Sequence, residues 1–222
     1  MRAAVIVFPG SNCDRDVAVC LRQICNTQPI MVWHGEHTLP PCDLIVLPGG
    51  FSYGDYLRCG AMAANSPIMA EVVKAAKSGV ATLGICNGFQ MLTECGLLSG
   101  VLMRNQALHF VCRNVRLQVQ QTDTPFTHLY EKDKEIVIPV AHNDGNYFAD
   151  ADTLQSLKDN GQIIFTYGEG DNPNGSQLDI AGVCDKSRRI VGMMPHPERR
   201  AEAALGGDDG LRLFAGLLEA VA

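Results

Sequence analysis

A cysteine, a histidine and a glutamate carry the most legible chemistry in this sequence. Cys86 lies in Thr82-Leu83-Gly84-Ile85-Cys86-Asn87-Gly88-Phe89-Gln90, where an apolar run that reads as a buried strand stops at Gly-x-Cys-x-Gly and a helical pattern begins. That is the pattern of a nucleophile elbow, a tight strand-to-helix turn with little bulk two residues either side of the exposed side chain. Far downstream stands Pro195-His196-Pro197-Glu198. A thiol with a pKa near ~8.5 is only a few per cent thiolate at neutral pH, so Cys86 needs a base or a positive field to act. The helix opening at Asn87 points amides at the sulfur, and His196 is the candidate base.

Each proline beside His196 biases the residue before it toward extended backbone, so residues 194–198 are expected to run extended past a strand. His196 and Glu198 then face one side, and the carboxylate can orient one ring nitrogen while the other faces the thiol. Pro48-Gly49-Gly50, after another apolar run, completes the set. A tetrahedral intermediate needs two backbone amides aimed at its oxyanion, and those of Gly50 and Asn87 are the candidates. Singly, each piece is compatible with an ordinary turn; together, each at a strand end, they point to cysteine-dependent acyl transfer.

The elements that must position them follow from periodicity. Residues 3–8, 29–33, 44–47 and 80–85 read as strands. Between them come helices over 11–25, opened by a Ser11-x-x-Asp14 capping signal, and over 66–77. Strands alternating with helices mean a parallel sheet covered on both faces. The second half reads as strands over 111–119, 135–141, 163–167, 180–184 and 190–194, with a helix over 153–160, a polar turn cluster over 168–179 and a closing helix over 210–222. This adds an antiparallel section. With no linker or repeat, residues 1–222 are expected to form one domain.

Composition narrows the class. A net charge of -6 gives no basic field for nucleic acid or an anionic membrane, and no apolar stretch approaches the ~20 residues of a membrane span. The nine cysteines include no Cys-x-x-Cys pair, so neither a disulfide framework nor a zinc knuckle is indicated, and a reducing cytoplasm is the expected setting. His34-Gly35-Glu36-His37 is the nearest approach to a metal motif and reads as solvated loop, so no metal is expected. There is no Walker loop or dinucleotide fingerprint.

The segments 84–90 and 194–198 resemble the nucleophile and His-Pro-Glu motifs of class I, triad-type glutamine amidotransferases. Residues 8–16, 48–58, 172–176 and 193–199 are similar to one branch of that class, the separate glutaminase subunits of phosphoribosylformylglycinamidine synthase. The resemblance covers essentially the whole chain. It implies an α/β, flavodoxin-like fold with a largely parallel central sheet flanked by helices and an added antiparallel section. It also implies attack on L-glutamine by Cys86, a glutamyl thioester, proton transfer by His196 and orientation by Glu198, with Gln90 and Phe51 on the glutamine side. The implied partners are a synthetase subunit of the PurL type, which uses ATP and Mg, and a small bridging subunit of the PurS type. Asp55 and Arg58 are typical of the branch, whereas Asn143 and Asp144 depart from its usual His-Gly-Glu-Gly segment. An amidotransferase serving another acceptor and a catalytically silent subunit are the rival readings.

Overall fold

Runs rich in valine, isoleucine and leucine without alternation are buried on both faces, as a covered parallel strand requires. In the computed structural model the described residues are 1–25, 28–55 and 59–221. Arg58 lies outside them, as does the side chain of Asp55. In chain order the elements are β1 (Ala3–Val7), α1 (Asp14–Cys25), β2 (Ile30–Trp33), β3 (Leu44–Leu47), α2 (Cys59–Ala64), α3 (Pro67–Lys77), β4 (Ala81–Ile85) and α4 (Asn87–Glu94). There follow β5 (Val101–Met103), β6 (Val111–Val119), β7 (Glu135–His142), β8 (Asn146–Phe148), α5 (Ala151–Asp159), β9 (Ile163–Tyr167), β10 (Ile180–Cys184), β11 (Ile190–Met193) and α6 (Leu211–Val221).

One nine-stranded sheet runs β2-β1-β3-β4-β11-β10-β9-β6-β7. Its first five strands pair parallel, and every step from β11 to β7 is antiparallel. The fold is therefore the α/β arrangement with an antiparallel section that the sequence led us to expect. The β4–β11 register sets Ile85 beside Met193, so the residues that follow both strands emerge at the same sheet edge. One hydrophobic cluster extends from Val5 and Leu21 to Leu117, Ile138 and Phe165, joining the two halves of the sheet.

Local chemistry accounts for several helix ends. α1 carries Asp14 and Asp16 in its first turn and Arg22 in its last, matching the helix dipole. Ser66 and Pro67 open α3, and Asp150 caps α5 by accepting the Thr153 N–H at 2.7 Å.

Three expectations need correction. Ser11 does not cap α1, because its hydroxyl donates to Gly49 O at 3.3 Å and the helix starts only at Asp14. Residues 194–198 are not extended throughout: Pro197–Arg199 form a single 3₁₀ turn, closed by the Arg199 N–H on His196 O. Proline restricts the residue before it but is also a good first residue of a helical turn, and here the second preference prevails. The small strands β5 and β8, and α2, went unpredicted. β5 and β8 are three residues each and pair only with one another, too short for periodicity to register.

Gly88 shows how closely α4 is laid on the sheet. A Cβ there would stand 1.9 Å from the Leu47 carbonyl oxygen, a backbone atom that cannot rotate away. Gly88→Ala is therefore expected to cost roughly 3 kcal/mol or more, through displacement of α4 from β3. Denaturant unfolding checks this, and an unchanged midpoint would show that α4 can slide without penalty.

Candidate active site

Cys86 occupies the bend between β4 and α4 with φ 52° and ψ -106°, a backbone conformation that L-residues rarely adopt. Such a conformation costs of order 1–3 kcal/mol and persists only when its surroundings over-determine it. Here the Cys86 N–H is held by Met193 O at 2.8 Å, and Cys86 O accepts the Gln90 N–H at 3.1 Å. The flanking glycines give the clearance their positions suggested: a Cβ on Gly84 would meet Gly88 O at 2.6 Å. The sulfur sits at the amino end of α4, where the helix dipole favours negative charge, and lies 3.8 Å from Ala141 O at the end of β7.

His196 follows β11 and is fixed through its own N–H to Pro139 O at 2.8 Å. The 3₁₀ turn brings Glu198 Oε1 to His196 Nδ1 at 2.6 Å, with both side chains almost wholly enclosed. A carboxylate only accepts, so Nδ1 is the donor of this bond, and in a neutral ring Nε2 then presents a lone pair. Nε2 is buried with no hydrogen-bond partner among the described residues. Gly49 places this ring relative to the nucleophile, since a Cβ on it would lie 2.6 Å from His196 Cε1 and 3.1 Å from Cys86 Cβ. Thiol, imidazole and carboxylate thus converge from two strand ends, with the backbone of a third strand's loop against the first two.

That third loop carries Gly50 at φ +132°, where a Cβ would collide with Asn12 N and Oδ1 at 2.7 Å. Only glycine fits so close a contact. An isolated bridge between Ser11 and Gly50 ties the loop to the turn before α1. Because the C=O and N–H of a trans peptide point oppositely, the Ser11 hydroxyl on Gly49 O turns the Gly50 N–H to the other side of the loop. Asn87 begins α4, and its side-chain Oδ1 accepts the Ser52 N–H at 2.9 Å.

The fourth wall is the turn from β7 to β8, the segment whose sequence departs from the resemblance. His142 is 3% exposed, with Nδ1 3.1 Å from Asn105 Oδ1 and Nε2 3.5 Å from Asn174 Nδ2. Asn105 also accepts the Gly145 N–H and donates to His142 O, while Asn174 donates to the Tyr167 hydroxyl. Burial, and then the neighbouring His196, push the His142 imidazole down to about 4. Sequence reasoning missed Ser11, Asn105 and His142 as parts of the site. Residues 8–16 and 172–176 carried a signal only as part of the resemblance, which gave their side chains no place in the site.

Gln90 is 8% exposed and its amide joins Asn87 Nδ2 to Asp144 O. Phe51 is 42% exposed and stacks on Phe110 at 6.0 Å between ring centroids. His34 leaves its exposed loop to bond the Tyr53 and Ser66 hydroxyls. Among the described residues, Cys13, His196 and Glu198 form the only group with metal-ligand spacing, within 4.8 Å of one another. These donors are already engaged: Arg199 donates to Cys13 Sγ at 3.1 Å, burial pushes the Cys13 thiol up to about 12, and Glu198 holds His196.

Comparison with known proteins matches residues 1–205 to the CobB/CobQ-like glutamine amidotransferase domain. The chain is 57% identical to the phosphoribosylformylglycinamidine synthase subunit PurQ of Zymomonas mobilis, covering 100% of both chains. It is 53% identical to the PurQ of a Nostoc species over 100% of this chain and 98% of that one. Among solved structures it is similar to a chain of PurLQS from Thermotoga maritima, with 44% identity, a TM-score of 0.90 and coverage of 100% and 99%.

The depressed His142 value makes a pH prediction whose sign is fixed. The folded protein binds this proton only near pH 4, whereas an unfolded histidine binds it near 6.5. The stability from keeping His142 neutral is thus fully present above about pH 6.5 and is lost progressively as pH falls toward 4, by up to about 3 kcal/mol. Urea unfolding across that window should show the decline, and His142→Asn should flatten it. An equal slope in the variant would assign the acid sensitivity to other groups.

Proposed function

Because this chain belongs to the CobB/CobQ-like glutamine amidotransferase family, in the branch of phosphoribosylformylglycinamidine synthase PurQ subunits, we propose that Cys86, His196 and Glu198 are its catalytic triad. It is a glutaminase subunit of that synthase, hydrolysing glutamine to glutamate and ammonia for purine biosynthesis. The observation that carries the site assignment is the enclosed line from Glu198 Oε1 through the His196 ring, with that ring and Cys86 Cβ both against Gly49.

The chemistry follows from the positions. His196 Nε2 takes the thiol proton as Cys86 Sγ attacks the amide carbon of glutamine, and the carbonyl electrons move onto oxygen. The Gly50 and Asn87 amides receive that oxyanion. His196 returns the proton to the amide nitrogen, ammonia leaves, and a glutamyl thioester remains. Water, deprotonated by His196, then attacks the thioester, and Cys86 departs with glutamate released. Glu198 holds the ring and stabilises its cationic form. Gln90 and Phe51 border this space, Gln90 from the floor and Phe51 from the exposed rim.

The whole of residues 1–222 acts as one amidotransferase unit without a cofactor of its own, and the ATP- and Mg-dependent step lies on the partner. The PurL-type synthetase subunit accepts the ammonia, converting formylglycinamide ribonucleotide to formylglycinamidine ribonucleotide, with a PurS-type subunit bridging. The likeness to a chain of the PurLQS assembly supports these partners. No helix among the described residues is long and apolar enough to cross a membrane, and the seven cysteines whose side chains are described are unbridged. Both observations support a cytoplasmic setting.

Two experiments test the reading. In glutamine hydrolysis by the assembled complex, Cys86→Ala and His196→Ala should each cost on the order of a million-fold, and Glu198→Ala roughly 100-fold less, since it orients and does not react. Equal losses at Cys86 and Glu198 would give the carboxylate a chemical role not described above. Separately, Cys86→Ser should abolish glutamine-dependent amidine formation while ammonium salt restores it, because ammonia use lies on the other subunit. Persisting glutamine use at the wild-type rate would overturn the assignment of the nucleophile.

A further inference from the structure

Asn87 is 2% exposed, and its side-chain amide is used at both ends. Its Oδ1 accepts the Ser52 N–H at 2.9 Å, and its Nδ2 donates to Gln90 Oε1 at 3.1 Å. Gln90 Nε2 donates in turn to Asp144 O at 2.7 Å. A single directional relay of amides therefore crosses the floor of the site, from the loop after β3 to the turn after β7. Its direction is fixed from both ends, because Asp144 O only accepts and the Ser52 N–H only donates. Reversing either amide would set carbonyl against carbonyl or N–H against N–H in a buried setting.

We propose that Asn87 is a positioning residue for the oxyanion-binding amides, its side chain holding the Gly49–Ser52 loop at a set distance from its own backbone N–H. The role rests on the glutaminase reading above and goes beyond it, since that reading uses only the backbone of Asn87. One residue supplies one oxyanion donor and anchors the segment carrying the other. The anchor is needed because two consecutive glycines leave the Gly50 amide with wide conformational freedom. The Ser11 hydroxyl fixes which way the Gly49–Gly50 peptide faces, and Asn87 fixes how far it stands from α4. Because the oxyanion exists only in the tetrahedral intermediates, loss of this anchor acts on the transition state and not on bound glutamine.

The test uses the assembled complex with two substitutions, Asn87→Ala and Asn87→Leu, the second close to asparagine in volume but unable to hydrogen-bond. Each is measured for kcat and KM with glutamine and for the rate at which iodoacetamide alkylates Cys86. Alkylation displaces iodide at a saturated carbon and forms no oxyanion, so it reports thiol reactivity and site integrity alone. Both variants are expected to lose roughly 10- to 100-fold in kcat, with KM and the alkylation rate staying within about twofold of wild type. A Leu variant with wild-type kcat would show that Asn87 only fills space. Alkylation falling in step with kcat would show that the nucleophile or the fold is damaged, and either result overturns the proposal. A wild-type complex that alkylates normally yet leaves glutamine intact would instead overturn the glutaminase reading, and is recognised before any substitution is made.

Discussion

The bend at Cys86 is the constraint on which the rest of the structure depends. A β-carbon-bearing residue is held at φ 52° between a buried strand and a helix, and that conformation is unfavourable in isolation. It survives because β11 receives its N–H, α4 propagates from its carbonyl, and the chain on either side is cut back to glycine. Gly84 lets Gly88 pass, and Gly88 lets α4 rest on the carbonyl of Leu47. The same packing that strains Cys86, the proposed nucleophile, aims the amino end of a helix at it. Strain and activation therefore have a common origin in the way α4 is seated.

The sheet then decides what surrounds the bend. β3, β4 and β11 are parallel, so three chain segments leave the same edge at carboxyl ends of strands, bringing a glycine loop, a thiol and an imidazole together. The antiparallel extension contributes the remaining wall, since the end of β7 sets Ala141 O near the sulfur and Pro139 O on the His196 N–H. The two halves of the sheet serve different purposes. The parallel half carries the proposed reacting groups, and the antiparallel half helps to enclose them.

Enclosure makes buried polar groups expensive unless they are paired. Around this site they are paired through amides: Asn87 and Gln90 beneath the thiol, Asn105 and Asn174 around His142. Amides neither titrate nor carry net charge, so they can brace the site without competing for the proton that His196 is proposed to move. Among the described residues the carboxyl group on the His196 ring is that of Glu198, 2.6 Å from Nδ1.

The chemistry-bearing residues were legible because their demands are local. An elbow needs glycine two residues either side of its nucleophile, and a base-and-orienter pair two residues apart is visible in any sequence that contains it. Buried strands declare themselves through apolar runs and half-buried ones such as β6 and β7 through alternation, which is why β1 to β4 and the five longer strands of the second half were found and the three-residue pair β5 and β8 was not. What sequence could not decide was where polar side chains far apart in the chain would end. Ser11 looked like a helix cap until Gly49 O, 38 residues away, took its hydroxyl. Pro195-His196-Pro197 looked extended until packing selected a 3₁₀ turn. The side-chain roles of Asn87, Asn105 and His142 carried no local signal, because their partners at Ser52, Gly145 and Asn174 are adjacent only after the sheet has formed. What the sequence carried on its own was the proposed reacting groups and the kind of sheet that presents them; how those groups are held came only with tertiary structure, because a buried hydrogen bond is chosen by whichever donor or acceptor the packed backbone brings within reach.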